Sequence, residues 1–150
     1  MKVHIENIPA HNVIFMRRTG PYGEQNFQLM QNMKQWISDH NLWSQNSVIY
    51  GIARDDAAIT PPEKCRYDVC FVTETSLQDG TMNYGTLPSG EYLVFEIPHT
   101  SDEVQRFWGS ITDTLAQEKR EIDYSRPVLE RYQIALVEKG FCEFCIPIIS

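Results

Sequence analysis

The order of strand-like and helix-like segments, which recurs along the chain, constrains the fold more than any other feature of this sequence. The first half has two segments rich in β-branched and aromatic residues, one segment of helical periodicity, and two more strand-like segments. The second half has one strand-like segment, one helical stripe and two strand-like segments. The strand-like segments are residues 2–8, 12–18, 47–54, 64–74, 91–97, 128–136 and 141–149, and the helical ones are residues 24–42 and the stretch that follows Thr100.

Short matches between the halves indicate that this recurrence is a duplication. The string VIF at residue 13 matches LVF at residue 93, an offset of 93 − 13 = 80. The string DVC at residue 68 matches EFC at residue 143, an offset of 143 − 68 = 75. An offset that drifts by only a few residues is what loop changes within a duplicated unit would leave.

These observations predict a single domain that spans residues 1–150, with pseudo-repeats at about 1–76 and 77–150. A chain of 150 residues suffices for one hydrophobic core and is too short for two independent ones. The expected fold class is α+β: a duplicated βαββ unit, with antiparallel sheets, two helices and a central cleft between pseudo-symmetric halves. Such a cleft is a natural ligand site.

Both predicted helices carry an apolar stripe. TSDE at residue 100 is typical of a capping box, with Thr100 as N-cap and Glu103 three positions later. We expect the stripes to pack on the core, and Trp36 and Trp43 to belong to the core as well. The stripe residues are Phe27, Met30, Met33 and Ile37 in the first helix, and Val104, Phe107, Trp108, Ile111 and Leu115 in the second.

The charge balance disfavours polyanionic partners. Thirteen basic and 20 acidic residues give a formal net charge of −7, which repels phosphate backbones and anionic lipid. No apolar run approaches the roughly 20 residues that span a bilayer. We therefore expect a cytoplasmic protein that binds neither nucleic acid nor membrane directly, and whose partner is a neutral or cationic molecule.

The four cysteines, Cys65, Cys70, Cys142 and Cys145, are expected to be reduced and buried. Cys142 and Cys145 are three apart in a strand-like segment, so they face opposite sides of a sheet and cannot bind one metal ion. The same parity separates Cys65 from Cys70, and neither pair has the glycine turn or the nearby histidines of a zinc site. The sequence thus predicts no metal and no cofactor.

Arg66 and Asp68 lie unexpectedly within an apolar β-run. Strand parity places Tyr67 on the same face as Val69 and Phe71, and places Arg66 and Asp68 on the opposite face. Arg66 and Asp68 can pair with each other, or Asp68 can serve the cleft, as Glu143 would in the other half. A structural ion pair of Asp68 is the favoured interpretation.

Glu130 is the strongest candidate for a functional carboxylate. Glu130 and Tyr132 are two positions apart in a strand, so they share a face with Val128 and Ile134. A carboxylate on an apolar and aromatic face needs a partner. That partner is either a bound ligand or, in the alternative, Arg131 or a lysine.

Several strings in order, YGIARDD, TPPEKCRYDVC, LPSGEYLVFEI, LERY and CEFCIPI, resemble the GyrI-like small-molecule-binding family. This family includes gyrase-inhibitor-like proteins and the effector-binding domains of AraC-type and MerR-type regulators of bacterial transcription. The resemblance implies a multidrug-type cleft that holds lipophilic, often cationic, compounds. The residues that it points to are Glu130, Tyr132, Tyr67 and Tyr22, with Pro21 at the helix entry and Trp108 as a second wall or a core residue.

The resemblance leaves three functions to compare, and a stand-alone binder of amphipathic, cationic or aromatic compounds is favoured. The second is a hydrolase of cyclopropane-containing genotoxins, which would use Glu130 as a general base. The third is a partner that modulates DNA gyrase, and a homodimer is also left open. The polar string AQEKREIDYSRP stands where many relatives are rich in Trp, so some cleft contacts are expected to differ.

Overall fold

All eight strands form one antiparallel sheet. The computed structural model describes residues 2–74, 80 and 82–150. The sheet order is β1-β6-β8-β7-β3-β4-β2-β5. The strands are β1 (Lys2–Ile8), β2 (His11–Thr19), β3 (Val48–Ala53), β4 (Arg66–Val72), β5 (Asn83–Leu87), β6 (Gly90–Pro98), β7 (Leu129–Gln133) and β8 (Phe141–Pro147), and the helices are α1 (Glu24–Asp39), α2 (Ser101–Glu118) and α3 (Ile134–Val137).

The strand order is symmetric about the central β3–β7 pair. On one side β3 is followed by β4, β2 and β5, and on the other β7 is followed by β8, β6 and β1. The first strand of each half therefore pairs with the other half: β1 with β6, and β5 with β2. The α+β class with two covering helices is confirmed. The pseudo-repeats stay a prediction, and their boundary at 76 and 77 lies outside the described residues.

Both long helices cover the same face of the sheet. Helix α1 packs Met33 and Ile37 on Ile14 of β2 and Val69 of β4. Helix α2 packs Phe107 on residues of β6 and β8, where its ring lies parallel to that of Phe144 at 4.8 Å between centroids. Between these two clusters the central strands β3 and β7 carry no long helix, which leaves room for a cleft.

The opposite face buries a cluster that draws on every strand and on no helix. Its members are Ile8, Val13, Tyr50, Ile52, Cys70, Leu87, Tyr92, Val94, Leu129 and Cys145. Because these side chains are almost fully buried with strands alone around them, the sheet must curve about this cluster. Cys142 packs on the helix-covered face and Cys145 in this cluster, as parity predicted, and all four cysteines are buried free thiols.

Two buried acids on this second face are held by arginines. Asp68 accepts hydrogen bonds from Arg17 at 2.6 Å and from Arg54 at 2.8 Å. Burial raises its pKa, but the two arginine hydrogen bonds together outweigh that effect, so the pKa is lowered. Arg66 pairs with Asp55 at 2.9 Å, so of the two possibilities left open, the pair of Arg66 with Asp68 does not form. The favoured structural ion pair of Asp68 is confirmed, with Arg17 and Arg54 as its partners.

Glu143 occupies the corresponding place in the second half. It accepts two hydrogen bonds of 2.9 Å from the Arg131 guanidinium, which also binds Glu6 at 2.7 Å. The Gln133 amide contributes a further hydrogen bond at 2.5 Å. Neither Asp68 nor Glu143 serves a cleft on the helix-covered face, because both point to the other side of the sheet.

The elements differ from the sequence predictions in three places. The first helix ends at Asp39 and not at residue 42, and the strand expected over residues 128–136 stops at Gln133, where α3 begins. Strand β5 was not predicted.

The predicted capping box of α2 forms only in part. Thr100 caps α2 by accepting a hydrogen bond from the Glu103 amide at 3.3 Å, but the Glu103 side chain pairs with Arg106. Among the described residues, no helix has the length and apolarity to cross a bilayer.

Candidate functional site

A cavity of about 270 Å³ opens on the helix-covered face, above the central strands. The sheet forms its floor, and α1 and α3 form its walls. Apolar and aromatic side chains dominate the lining, and the polar groups are few, which is typical of sites for organic ligands. The lining residues are Asn26, Phe27, Met30, Gln31, Lys34, Ile49, Tyr67, His99, Glu130, Tyr132, Ile134 and Val137.

Glu130 lies on the floor of this cavity and is bound by two tyrosines. Its Oε1 accepts hydrogen bonds from the Tyr67 hydroxyl at 2.8 Å and from the Tyr132 hydroxyl at 3.0 Å. Tyr67 comes from β4 in the first half of the chain, and Tyr132 lies two positions along β7 from Glu130. The three residues to which the family resemblance pointed are thus brought together around one oxygen atom.

Glu130 has no basic side chain as a partner in the part of the chain that the structure describes. The alternative partner Arg131 points to the opposite face, where it binds Glu143 and Glu6. Within the described residues, no lysine or arginine forms an ion pair with Glu130. Burial raises the pKa of this carboxyl, and the two tyrosine hydrogen bonds lower it by less, so the net shift is upward.

The two tyrosines remain hydroxyl donors at any ordinary pH. Burial, followed by the nearby Glu130 charge, raises the pKa of both Tyr67 and Tyr132. Their rings present aromatic surface to the cavity, and their hydroxyls hold the carboxylate in place. The group can therefore attract a cation, accept a hydrogen bond or exchange a proton.

Gly51 makes room for this arrangement, and no motif or periodicity in the sequence indicated its role. It lies on β3 opposite Glu130 of β7. A Cβ atom at this position would lie 2.6 Å from Glu130 Oε1 and would overlap the Tyr67 hydroxyl. Real Cβ atoms do not come this close to such atoms, so only glycine lets the tyrosine and the carboxylate meet.

The rim of the cavity carries an exposed ring and two nitrogen groups. Phe27, expected in the helix core, is 66% exposed and lines the cavity mouth instead. His99 follows β6 and places its ring edge-on to Tyr132, at 5.6 Å between centroids. Lys34 lies on α1, one turn beyond Met30, and lines the same cavity.

Three other residues that the sequence proposed for the cleft do not line this cavity. The Tyr22 ring lies 6.4 Å from that of Tyr67, and its hydroxyl donates to the Arg66 carbonyl at 2.8 Å. Pro21 is exposed, and its carbonyl accepts from Arg18. Trp108 is 43% exposed and packs edge-on against Phe144, the neighbour of Glu130 in β8. Tyr22 and Trp108 thus lie behind the cavity lining, where Tyr22 contacts Tyr67 and Trp108 contacts Phe144.

Comparison with known proteins yields relatives over the full length of the chain. The sequence model of the family described as GyrI-like small molecule binding domain matches residues 1–149. YosT of Bacillus subtilis (strain 168), an SPbeta prophage-derived protein named as a transcriptional regulator, is 39% identical over 153 aligned residues that cover 99% of each chain. A DNA gyrase inhibitor of Serratia proteamaculans (strain 568) is 32% identical over 116 residues, which are 73% of this chain and 72% of that protein.

Two solved structures share the architecture at low sequence identity. The EcmrR C-terminal domain superposes with a TM-score of 0.75 at 11% identity, over 99% of this chain and 98% of that one. SAV2435, solved with bound tetraphenylphosphonium, superposes with a TM-score of 0.63 at 18% identity, over 100% of this chain and 95% of that one. Both likenesses support the α+β fold.

Proposed function

Because this chain belongs to the GyrI-like small-molecule-binding family, we propose that its cavity captures amphipathic aromatic compounds that carry a delocalised positive charge. The family membership establishes a small-molecule-binding domain, and the class of ligand is our inference. The observation that carries it is the Glu130 carboxyl, which two tyrosines orient toward the cavity and which forms no ion pair with a lysine or arginine of residues 2–74, 80 and 82–150.

Burying a charge without a partner of opposite charge costs free energy. A carboxylate that loses water without gaining a cation is destabilised, and the raised pKa of Glu130 reflects this. An organic cation with a delocalised charge enters such a site at little desolvation cost of its own and supplies the missing charge. The faces of Tyr67 and Tyr132 add cation-π attraction of roughly 0.5–2 kcal/mol each. The binding of tetraphenylphosphonium by SAV2435, which shares the fold, supports this class of guest.

Tetraphenylphosphonium and tetraphenylborate form a matched pair of probes, because they share a shape and differ in the sign of their charge. We expect the wild-type protein to bind the cation in preference to the anion in calorimetric titrations. Glu130→Gln keeps the size and the hydrogen-bond acceptor but removes the charge, so cation affinity should fall at least about tenfold. Anion affinity should stay the same or rise.

Glu118→Gln, at the exposed end of α2, is the control variant because it removes the same charge far from the cavity. Its cation affinity should equal that of the wild type. Equal cation affinity in Glu130→Gln and wild type, with both proteins folded, would overturn the proposed function.

Cation affinity should also rise with pH. The pKa of Glu130 lies above its ordinary value of 4.5, so the carboxyl group in the empty cavity keeps its proton to a higher pH than an exposed glutamate does. We expect tetraphenylphosphonium affinity to increase as the pH is raised above 4.5 in the wild type and to stay flat in Glu130→Gln. The pKa of His99 is lowered from 6.5, so above that pH His99→Gln should keep the wild-type slope. A slope that persists in Glu130→Gln would assign the titration to another group.

A further inference from the structure

The cavity carries groups of opposite charge at its two ends. Glu130 lies on the sheet, and Lys34 lies on the α1 wall. Lys34 also lines an outer groove next to this cavity and Glu130 does not, so the lysine lies at the outer end of the cavity. A guest that fills the cavity therefore meets a carboxyl group at its inner end and an ammonium group at its outer end.

The Lys34 ammonium is available to a guest. In the described part of the chain it forms no hydrogen bond and no ion pair with any carboxylate. Glu138 and Lys34 both line a second groove that adjoins the cavity beyond α3, yet they do not come within ion-pair distance. Lys34 is partly buried, so its charge is less screened than that of a fully exposed lysine.

His99 strengthens the polarity of the mouth without adding charge. Burial, followed by the positive charge of Lys34, lowers the pKa of His99, so its imidazole is neutral at pH 7. Its ring packs against Tyr132, whose hydroxyl binds Glu130 at 3.0 Å. The two ends of the cavity are thus separated by the rings of His99 and Tyr132, which suits an aromatic guest with one polar group at each end.

We propose that Lys34 binds an acidic group at the outer end of the guest, so that the cavity prefers aromatic zwitterions to the matched cations. This inference rests on the proposed function, because it takes the inner end of the guest to be cationic. A simple cation would be repelled by Lys34 as it entered. A zwitterion with its positive end inward satisfies both protein charges.

Rhodamine 110 and rhodamine 123 test the preference for a zwitterion over its matched cation, because they are the free acid and the methyl ester of one cationic xanthene dye. Their binding to the full chain is measured by fluorescence anisotropy, and the ratio of the two affinities is the readout. We expect the wild type to prefer the acid, and Lys34→Gln to reduce that preference about five- to tenfold. The affinity for the ester should be unchanged or higher in the variant.

Lys64→Gln is the matched control, because Lys64 is an exposed lysine in the 3-10 turn Pro62–Lys64, away from the cavity. It should keep the wild-type ratio. An unchanged ratio in Lys34→Gln, or an equal loss for both dyes, would overturn the role of Lys34. Glu130→Gln separates the two proposals. If this variant binds the ester as tightly as the wild type does, the cation site proposed at Glu130 is wrong. The ratio of acid affinity to ester affinity in Lys34→Gln still tests the outer end of the cavity by itself.

Discussion

Replacing Arg131 by methionine should lower the free energy of unfolding by about 3–5 kcal/mol, because it leaves a buried carboxylate without its cation. Arg131 is buried and joins Glu143 and Glu6 through four hydrogen bonds of 2.7–2.9 Å. Glu143 is only 4% exposed, so water cannot replace the lost partner. Methionine fills a similar volume, which confines the effect to the charge. Chemical denaturation followed by circular dichroism measures it.

The loss of unfolding free energy in Arg131→Met should become smaller at acidic pH. The hydrogen bond from Arg131 is the largest of the effects that lower the pKa of Glu6 from 4.5 to about 2. A lowered pKa stabilises the folded state above 4.5, and this contribution disappears as the pH falls toward 2. The gap between wild type and variant should therefore narrow below pH 4.5.

Arg106→Met provides the control, because Arg106 forms an exposed i,i+3 pair with Glu103. It should change the free energy of unfolding by less than about 0.5 kcal/mol. A change of similar size in both variants would show that the buried cluster is no more important than a surface ion pair.

Gly51→Ala should disrupt the ligand site and destabilise the protein. The added methyl group occupies the space in which the Tyr67 hydroxyl meets Glu130. One of these side chains must then move, at a cost of about 1–3 kcal/mol in unfolding free energy, as in other overpacked interiors. Because the displaced group is part of the cavity floor, tetraphenylphosphonium affinity should fall at least about tenfold. Calorimetric titration and denaturation on the same sample give both values.

Gly109→Ala is the matched control on α2, where a Cβ atom meets no neighbour. Alanine is the better helix former, so this variant should gain roughly 0.5–1 kcal/mol and bind the cation as the wild type does. Unchanged stability and affinity in Gly51→Ala would mean that the floor of the cavity adapts without cost.

Local periodicity in the sequence predicted the faces of the strands well. Parity along β4 correctly set Tyr67, Val69 and Phe71 against α1 and turned Asp68 and Cys70 to the other face. The same rule placed Glu130 and Tyr132 together on β7. These predictions succeed because side-chain direction in a strand depends only on position along it.

Contacts between distant segments were not predictable in this way. Asp68 and Arg17 are 51 positions apart, and only the register of β2 on β4 shows that they are opposite each other. Gly51 has no side chain, so its role depends on two neighbours from different strands. Phe27 fits the helical stripe of α1, but its ring is 66% exposed and lines the cavity instead of packing in the core.

The exchange of outer strands links the two halves of the chain during folding. The outermost strand of each half is bound by a strand of the other half, with β1 on β6 and β5 on β2. A nascent chain that has emerged only as far as β4 cannot shield the exposed edge of β2, and its β1 has nothing to pair with. Closure of these long loops costs chain entropy before the pairing of the strands can compensate for it. The ligand cavity, whose floor joins β4 to β7, is consequently complete only when the last third of the polypeptide has been made.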